Sequence, residues 1–237
     1  CGFETVAAAV NSVIMAIQMG IPMARIELLD EVQMKGMNIF NPDLNLAEKP
    51  HLFLEFHGSD ASVKEQVELF EGVGEEFGAS DFAWATNAED RARLWAARHN
   101  AYYAGKSLRK GCESVVTDCC VPISELADCI ARTKEIIDEA GLIAPLVGHV
   151  GDGNFHLLIL FDPNDPEELT KAKQLASDVN RVALSFGGTV TGEHGVGTGK
   201  KKYMAEEHGA AYALMATLKR AVDPDNIMNP GKTVDIN

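Results

Sequence analysis

Gly148-His149-Val150-Gly151-Asp152-Gly153-Asn154-Phe155-His156 places two histidines around an Asp-Gly pair, and the run Leu157-Leu158-Ile159-Leu160-Phe161 follows directly. Asp-Gly between extended segments is a strong short-range hairpin signal. A turn centred on Asp152-Gly153 sets His149 opposite His156, and directly opposed side chains stand ~4.5–5.5 Å apart at Cβ, so both rings reach one metal ion. The plain alternative is a glycine-rich turn carrying two unrelated, hydrogen-bonded histidines. A hairpin also requires antiparallel neighbours, and this decides the type of sheet.

Working outward, the chain alternates helices and strands. Residues 4–19 are apolar all round and rich in alanine, which predicts a buried helix ended by Gly20 before Pro22. Ala24 to Leu29 reads as a strand, 38–50 as a loop broken up by Asn, Pro and Asp, and His51 to Phe56 as a second strand. Ser59 or Asp60 caps a helix that carries Val63, Val67, Phe70 and Gly74 on one face and closes at Phe77 before Gly78. Asp81 to Thr86 reads as a third strand.

Residues 89–104 form one amphipathic helix whose polar face holds Arg91, Arg93, Arg98, His99 and Asn100 beside Trp95. Ser114 to Val121 is extended, and Ser124 caps a helix through Leu126, Ile130, Thr133 and Ile137 to Gly141. Beyond the hairpin, Asp165-Pro166-Glu167 opens a helix through Leu169, Ala172, Ala176, Val179 and Ala183 that stops at Gly187-Gly188, and Thr189 to Thr191 is a short strand. The expected fold is α+β, a mostly antiparallel sheet with helices packed on one face. Helix, strand, helix, strand recurs in both halves, which admits duplicated ferredoxin-like units without any residue-level repeat.

The chain has 237 residues, 46% of them hydrophobic and 24% charged, enough for a full core in one large domain or two small ones. Its formal charge of −14 at pH 7 is spread along the sequence, which argues against nucleic acid as a partner and suits plain solubility. The apolar runs are of strand length, far short of the ~20 residues that span a bilayer. Neither an initiator Met nor a signal-peptide succession opens the chain, so Cys1-Gly2 reads as a start within a longer protein. The five cysteines are odd in number, lack zinc-finger spacing and suit a reducing interior.

A second dense segment runs from Gly188 to Lys200 and contains Gly192-Glu193-His194-Gly195-Val196-Gly197. If this loop folds over the hairpin, one of Glu193 and His194 becomes a metal ligand while the other faces a substrate. Two histidines and one carboxylate leave open coordination positions, as catalytic sites do, and suit zinc, manganese or iron. Gly197-Thr198-Gly199-Lys200 resembles a phosphate-binding loop only loosely. Lys201 stands where Ser or Thr belongs, and His194 where the leading glycine belongs.

Leu94 to Asn100, Thr117 to Ser124, Gly148 to His156, Gly192 to Gly197 and Asn229-Pro230-Gly231-Lys232 stand in the order, and at nearly the spacing, of the C-terminal half of the FAD-linked D-2-hydroxy-acid dehydrogenases. The chain resembles that family, the cytochrome-dependent D-lactate dehydrogenases above all, from about Cys1 to Lys232. The resemblance implies a substrate-binding cap domain of the vanillyl-alcohol-oxidase type over residues 1–221 and a tail over 222–237 that returns toward the flavin. It also implies a separate N-terminal domain that binds most of the FAD and lies outside this chain. Metal ligands are implied at His149, His156 and Glu193, the catalytic base at His194, and the substrate's carboxylate partner at Arg98. Cofactor contacts are implied at Asn229 and Glu193.

The implied reaction oxidises a short D-2-hydroxy acid to the 2-oxo acid with hydride passing to FAD, and electrons continue to a cytochrome or quinone-type acceptor. Location is then cytoplasmic or peripheral on an inner membrane, and a homodimer is one arrangement of the assembly. In the similar D-2-hydroxyglutarate dehydrogenases a lysine and an asparagine occupy the positions of Val116 and Leu158. Their absence here favours lactate over a dicarboxylate and leaves glycolate open. Two rivals from other classes keep the metal and discard the flavin: a self-contained hydrolase using His194 or Asp152 to activate water, and a non-enzymatic hydroxy-acid sensor.

Overall fold

The computed structural model describes residues 1–85 and 87–236, except for the side chains of Arg93 and Ala97. In chain order the elements are α1 (Val6–Gln18), β1 (Met23–Leu29), α2 (Glu31–Phe40), β2 (His51–Phe56), α3 (Asp60–Glu76), α4 (Ala88–His99), α5 (Ala101–Ser107), β3 (Glu113–Val116), β4 (Cys119–Cys120), α6 (Leu126–Ala140), β5 (Leu146–His149), β6 (Asn154–Phe161), α7 (Pro166–Ser185), α8 (Met204–His208) and α9 (Ala210–Val222). Every strand pairing among the described residues is antiparallel, as the hairpin argument requires.

Two units of the same topology share the sheet. In the first, Gly2 bridges both Ser80 and His51, and β2 pairs β1, so the order is Ser80, Gly2, β2, β1. In the second, Thr189 bridges Cys120, β4 pairs β6 and β6 pairs β5, so the order is Thr189, β4, β6, β5. Each is the split βαβ arrangement of a ferredoxin-like unit, with α1 and α3 serving the first and α6 and α7 the second. Pairing of β1 with β5 joins them edge to edge.

Alternation along the strands assigns the two faces. Ile26, Leu28, Leu52, Leu146, Phe155, Leu157 and Ile159 enter the main core with α1, α3, α6 and α7. The opposite face carries Glu27, Leu29, Val147, His149, His156, Leu158 and Leu160, and it is roofed by the insertions α2 and α5. Helices therefore cover one face in the repeated units, as expected from the sequence, and the inserted helices add a second, smaller layer.

The hairpin register departs from the expected one. His149 pairs with Asn154 and His156 with Val147. The turn spans Val150 to Gly153 because Val150 is fully buried in the main core and leaves the ladder to get there. Gly153 takes φ +78°, and a Cβ there would run into the Val121 carbonyl, so glycine is required. A shift of two residues preserves the face, since the side-chain period of a strand is two. The histidines are consequently diagonal neighbours, with ring centroids 5.6 Å apart at 83°.

Other local readings need correction. Helix α2 lies where no helix was read; Asp30 caps it by accepting from the Gln33 amide at 2.8 Å, and it runs to Phe40, so the loop starts at Asn41. The helix read over 89–104 divides at Asn100 into α4 and α5, and the Arg93 side chain lies outside the described residues. Residues 81–85 are not strand, only Ser80 bridging Gly2, and Thr86 lies outside the described residues. Ser124 caps nothing: it sits in a 3-10 turn over Ile123–Glu125 with its hydroxyl on the Glu125 carboxylate at 3.3 Å. The strand read over Thr189 to Thr191 reduces to the one bridge at Thr189. No described helix is long and apolar enough to cross a membrane.

Candidate active site

The junction between the two units is where polar side chains collect on the second face. β1 places Glu27 directly opposite His149 of β5. β6 adds Asn154 and His156, and the break between β3 and β4 adds Asp118. Over them folds the loop after Thr191, which the Gly192 amide pins to the Asp118 carbonyl at 3.1 Å. A Cβ at Gly192 would collide with the Asn154 amide, so only glycine lets the loop sit this close.

Asp118 organises this loop. Its fully buried carboxylate accepts from the Glu193 amide (3.2 Å to each oxygen), the His194 amide (2.9 Å), the Lys200 ammonium (2.9 Å) and the Asn154 side chain (3.1 Å). Burial alone would raise its pKa, but the His194 amide, Lys200 and Asn154 outweigh that and hold it at about 2. A folded value below the ordinary 3.8 stabilises the folded protein above about pH 4, and this stability disappears as pH falls through about 2. The contribution is on the order of 2 kcal/mol. Denaturant titrations between pH 5 and pH 2 are expected to show this acid-dependent loss in the native chain and to show it much reduced in Asp118→Asn. An unchanged slope in that variant would mean other carboxylates carry the effect.

Three imidazoles converge on Glu193. Its Oε1 lies 3.2 Å from His156 Nε2, 3.5 Å from His194 Nε2 and 3.6 Å from His149 Nε2. The His156 and His194 rings stack, with centroids 4.9 Å apart. His156 donates from Nδ1 to the Thr117 carbonyl at 3.1 Å, which leaves the lone pair on Nε2. That Nε2 is buried and has no hydrogen-bond partner, and burial lowers the pKa of the ring, favouring the neutral form a metal ligand needs. His149 Nδ1 donates to Glu27 Oε1 at 2.8 Å, a bond that raises its pKa against the opposing effect of burial.

An orphaned imidazole nitrogen, the His194 ring and one carboxylate oxygen suit a divalent ion of the zinc, manganese or iron kind, while His149 Nε2 stands 3.6 Å from Glu193 Oε1 outside the mutually close group. Ligand atoms of Asp118, His156, Glu193 and His194 all lie within 4.8 Å of one another. Of these, Asp118 suits a scaffold better than a ligand, because both of its oxygens are already taken up by hydrogen-bond donors.

Arg98, on α4, gives Nη2 (2.8 Å) and Nε (3.1 Å) to Glu27 Oε2. The structure therefore brings Arg98 to the cluster through Glu27, which the sequence reading left unassigned. Asn229 lies apart from these contacts, at φ +48° in the exposed tail, where its carbonyl accepts from the Lys232 amide at 3.2 Å. That tail is stitched to the glycine loop by the Thr233 amide on the Gly197 carbonyl at 2.9 Å. Lys200 turns inward to Asp118. Glu27 could have been suspected from an acidic residue set between Ile26 and Leu28 in an apolar strand, and Asp118 from the lone acid within Ser114 to Val121.

Residues 1–233 match the family described as FAD linked oxidases, C-terminal domain. The chain is 48% identical over 237 residues to the probable mitochondrial D-lactate dehydrogenase of Danio rerio, covering all of this chain and 48% of that protein. It is 42% identical to the mitochondrial D-lactate dehydrogenase [cytochrome] of Arabidopsis thaliana, covering 99% and 41% respectively. Glycolate oxidase subunit GlcD of Escherichia coli is 29% identical over 91% of this chain and 43% of its own length. The chain thus spans about half the length of these relatives. Among solved structures, 4-ethylphenol oxidase from Gulosibacter chungangensis superposes with a TM-score of 0.71 at 14% identity, over 98% of this chain and 52% of its own. p-Cresol methylhydroxylase does so with a TM-score of 0.68 at 17% identity, over 99% and 52%, so these two share the fold. By its match across residues 1–233, this chain belongs to the family of FAD linked oxidase C-terminal domains.

Proposed function

We propose that this domain is the substrate-binding and metal-binding half of the active site of an FAD-dependent D-2-hydroxy-acid dehydrogenase, with D-lactate as substrate. The observation that carries this is the convergence of His149, His156 and His194 on Glu193 beside Arg98. His149, His156 and Glu193 would hold the divalent ion, which when bound lowers the pKa of a coordinated hydroxyl. Arg98 would grip the acid's carboxylate with the N–H groups that Glu27 leaves free. His194, half exposed and stacked on His156, would take the hydroxyl proton. FAD, bound mainly by an N-terminal domain of the same polypeptide, would supply the hydride acceptor.

The flank of the cluster supports a small substrate. Val116 is directly opposite Leu158, on the face that carries Asp118 and His156. An apolar pair at this place favours a methyl group over a second carboxylate. We extend the proposal to residues 1–221 as the cap, 222–237 as the tail with Asn229 toward the cofactor, and a cytochrome or quinone-type acceptor. A mitochondrial location is proposed in place of a cytoplasmic one, since the names of the Danio rerio and Arabidopsis thaliana relatives carry that word. The test is kcat/KM of the full polypeptide for three acids. D-lactate is expected to exceed glycolate, and to exceed D-2-hydroxyglutarate by about 100-fold or more, the order of discrimination from leaving a buried charge unpaired. Equal turnover of the dicarboxylate would refute the reading.

A further inference from the structure

Glu27 touches both parts of the site. One carboxylate oxygen lies 2.8 Å from His149 Nδ1, and the other lies 2.8 and 3.1 Å from Arg98 Nη2 and Nε. Its side chain is 10% exposed and that of Arg98 13%, so the contact is largely shielded from water. We propose that Glu27 is a positioning residue that ties the anion-binding Arg98 to the metal-facing His149, setting the direction of one fork and the tautomer of one ring. This rests on the reading that Arg98 meets the acid and His149 the metal.

An ionised carboxylate only accepts hydrogen bonds, so the proton of neutral His149 must sit on Nδ1, and Nε2 keeps its lone pair toward Glu193 at 3.6 Å. Two donors on one oxygen also fix the Arg98 guanidinium in one plane. Packing alone does not call for this arrangement, because apolar residues of similar volume usually replace a buried ion pair without loss.

Glu27→Gln tests it, since glutamine has the same shape with one acceptor and one donor. The oxygen goes to the cationic Arg98, and the amide NH2 then faces His149 Nδ1, which must accept and pass its proton to Nε2. In the full polypeptide labelled with 15N at histidine, stripped of metal by a chelator and held at an alkaline pH where the ring is neutral, the His149 signal, assigned by its loss in His149→Gln, is expected to change from the Nδ1–H to the Nε2–H tautomer. Zinc affinity, measured by competition with a chelator, is expected to fall about 10–100-fold. Glu27→Asp is expected to restore the Nδ1–H form. A Glu27→Gln protein with an unchanged tautomer and unchanged zinc affinity overturns the proposal. A native protein that binds no zinc, yet whose His149 tautomer flips in Glu27→Gln, upholds the positioning role and refutes the metal reading.

Discussion

Replacing His156 with alanine is expected to strip the metal from the full polypeptide and to lower kcat for D-lactate by about 10³-fold or more, the scale of a lost Lewis acid. The expectation starts from solvation: His156 is buried, and its Nε2 lies beside Glu193 Oε1 with no hydrogen-bond partner. A buried acceptor left unmade costs roughly 1–3 kcal/mol, a cost that a bound ion would offset on the proposed reading. The Nδ1 bond to the Thr117 carbonyl removes the other tautomer, and burial lowers the pKa of the ring, which favours its neutral form. Elemental analysis before and after the substitution reads the result, with thermal melting to confirm folding. Full metal content in a folded His156→Ala protein would remove His156 from the ligand set.

His194→Gln is expected to behave differently: kcat falls by about 10²–10⁴-fold, as for loss of a general base, while metal content stays near the native level. His194 reaches the cluster from the loop rather than from a strand, and its side chain is 49% exposed. Its backbone amide, not its ring, makes the tight bond to Asp118, so the loop stays anchored when the side chain changes. Loss of the metal together with activity would instead count His194 among the ligands, a role its place in the same atom cluster would allow.

The hairpin shows what is legible in a sequence and what is not. Asp152-Gly153 announces a reversal, and the period of two puts both histidines on one face whichever even register forms. Which register forms depends on Val150, which gains more by entering a core built from α1, α3, α6 and α7 than by staying in the ladder. That core is assembled from residues more than a hundred positions apart, so no local pattern contains it. The same holds for the divided helix at Asn100 and for α2, whose apolar residues pack on α5 and on the second face of the sheet.

Asp118 and Glu27 stand out in the sequence as acids in apolar surroundings, but their roles were illegible for a related reason. An acid in a strand reads as solvent-facing unless its donors are known, and those of Asp118 come from positions 154, 193, 194 and 200. Those of Glu27 come from positions 98 and 149. Charge at a single site is a property of its surroundings, and its surroundings are tertiary.

By itself the sequence determined the antiparallel α+β class and put His149 and His156 on one face of a hairpin, because turn chemistry and residue type act over a few positions, while the roles offered for Glu193, His194 and Arg98 came from the resemblance of their motifs to a family. Tertiary structure alone decided that two ferredoxin-like units meet at β1 and β5, that the imidazoles gather on one oxygen of Glu193, and that Asp118 and Glu27 hold them there. The physical reason is that hydrogen-bond partners and desolvation are set by contacts across the chain, and these exist only once the sheet has closed and the loop from Gly192 to His194 has folded over it.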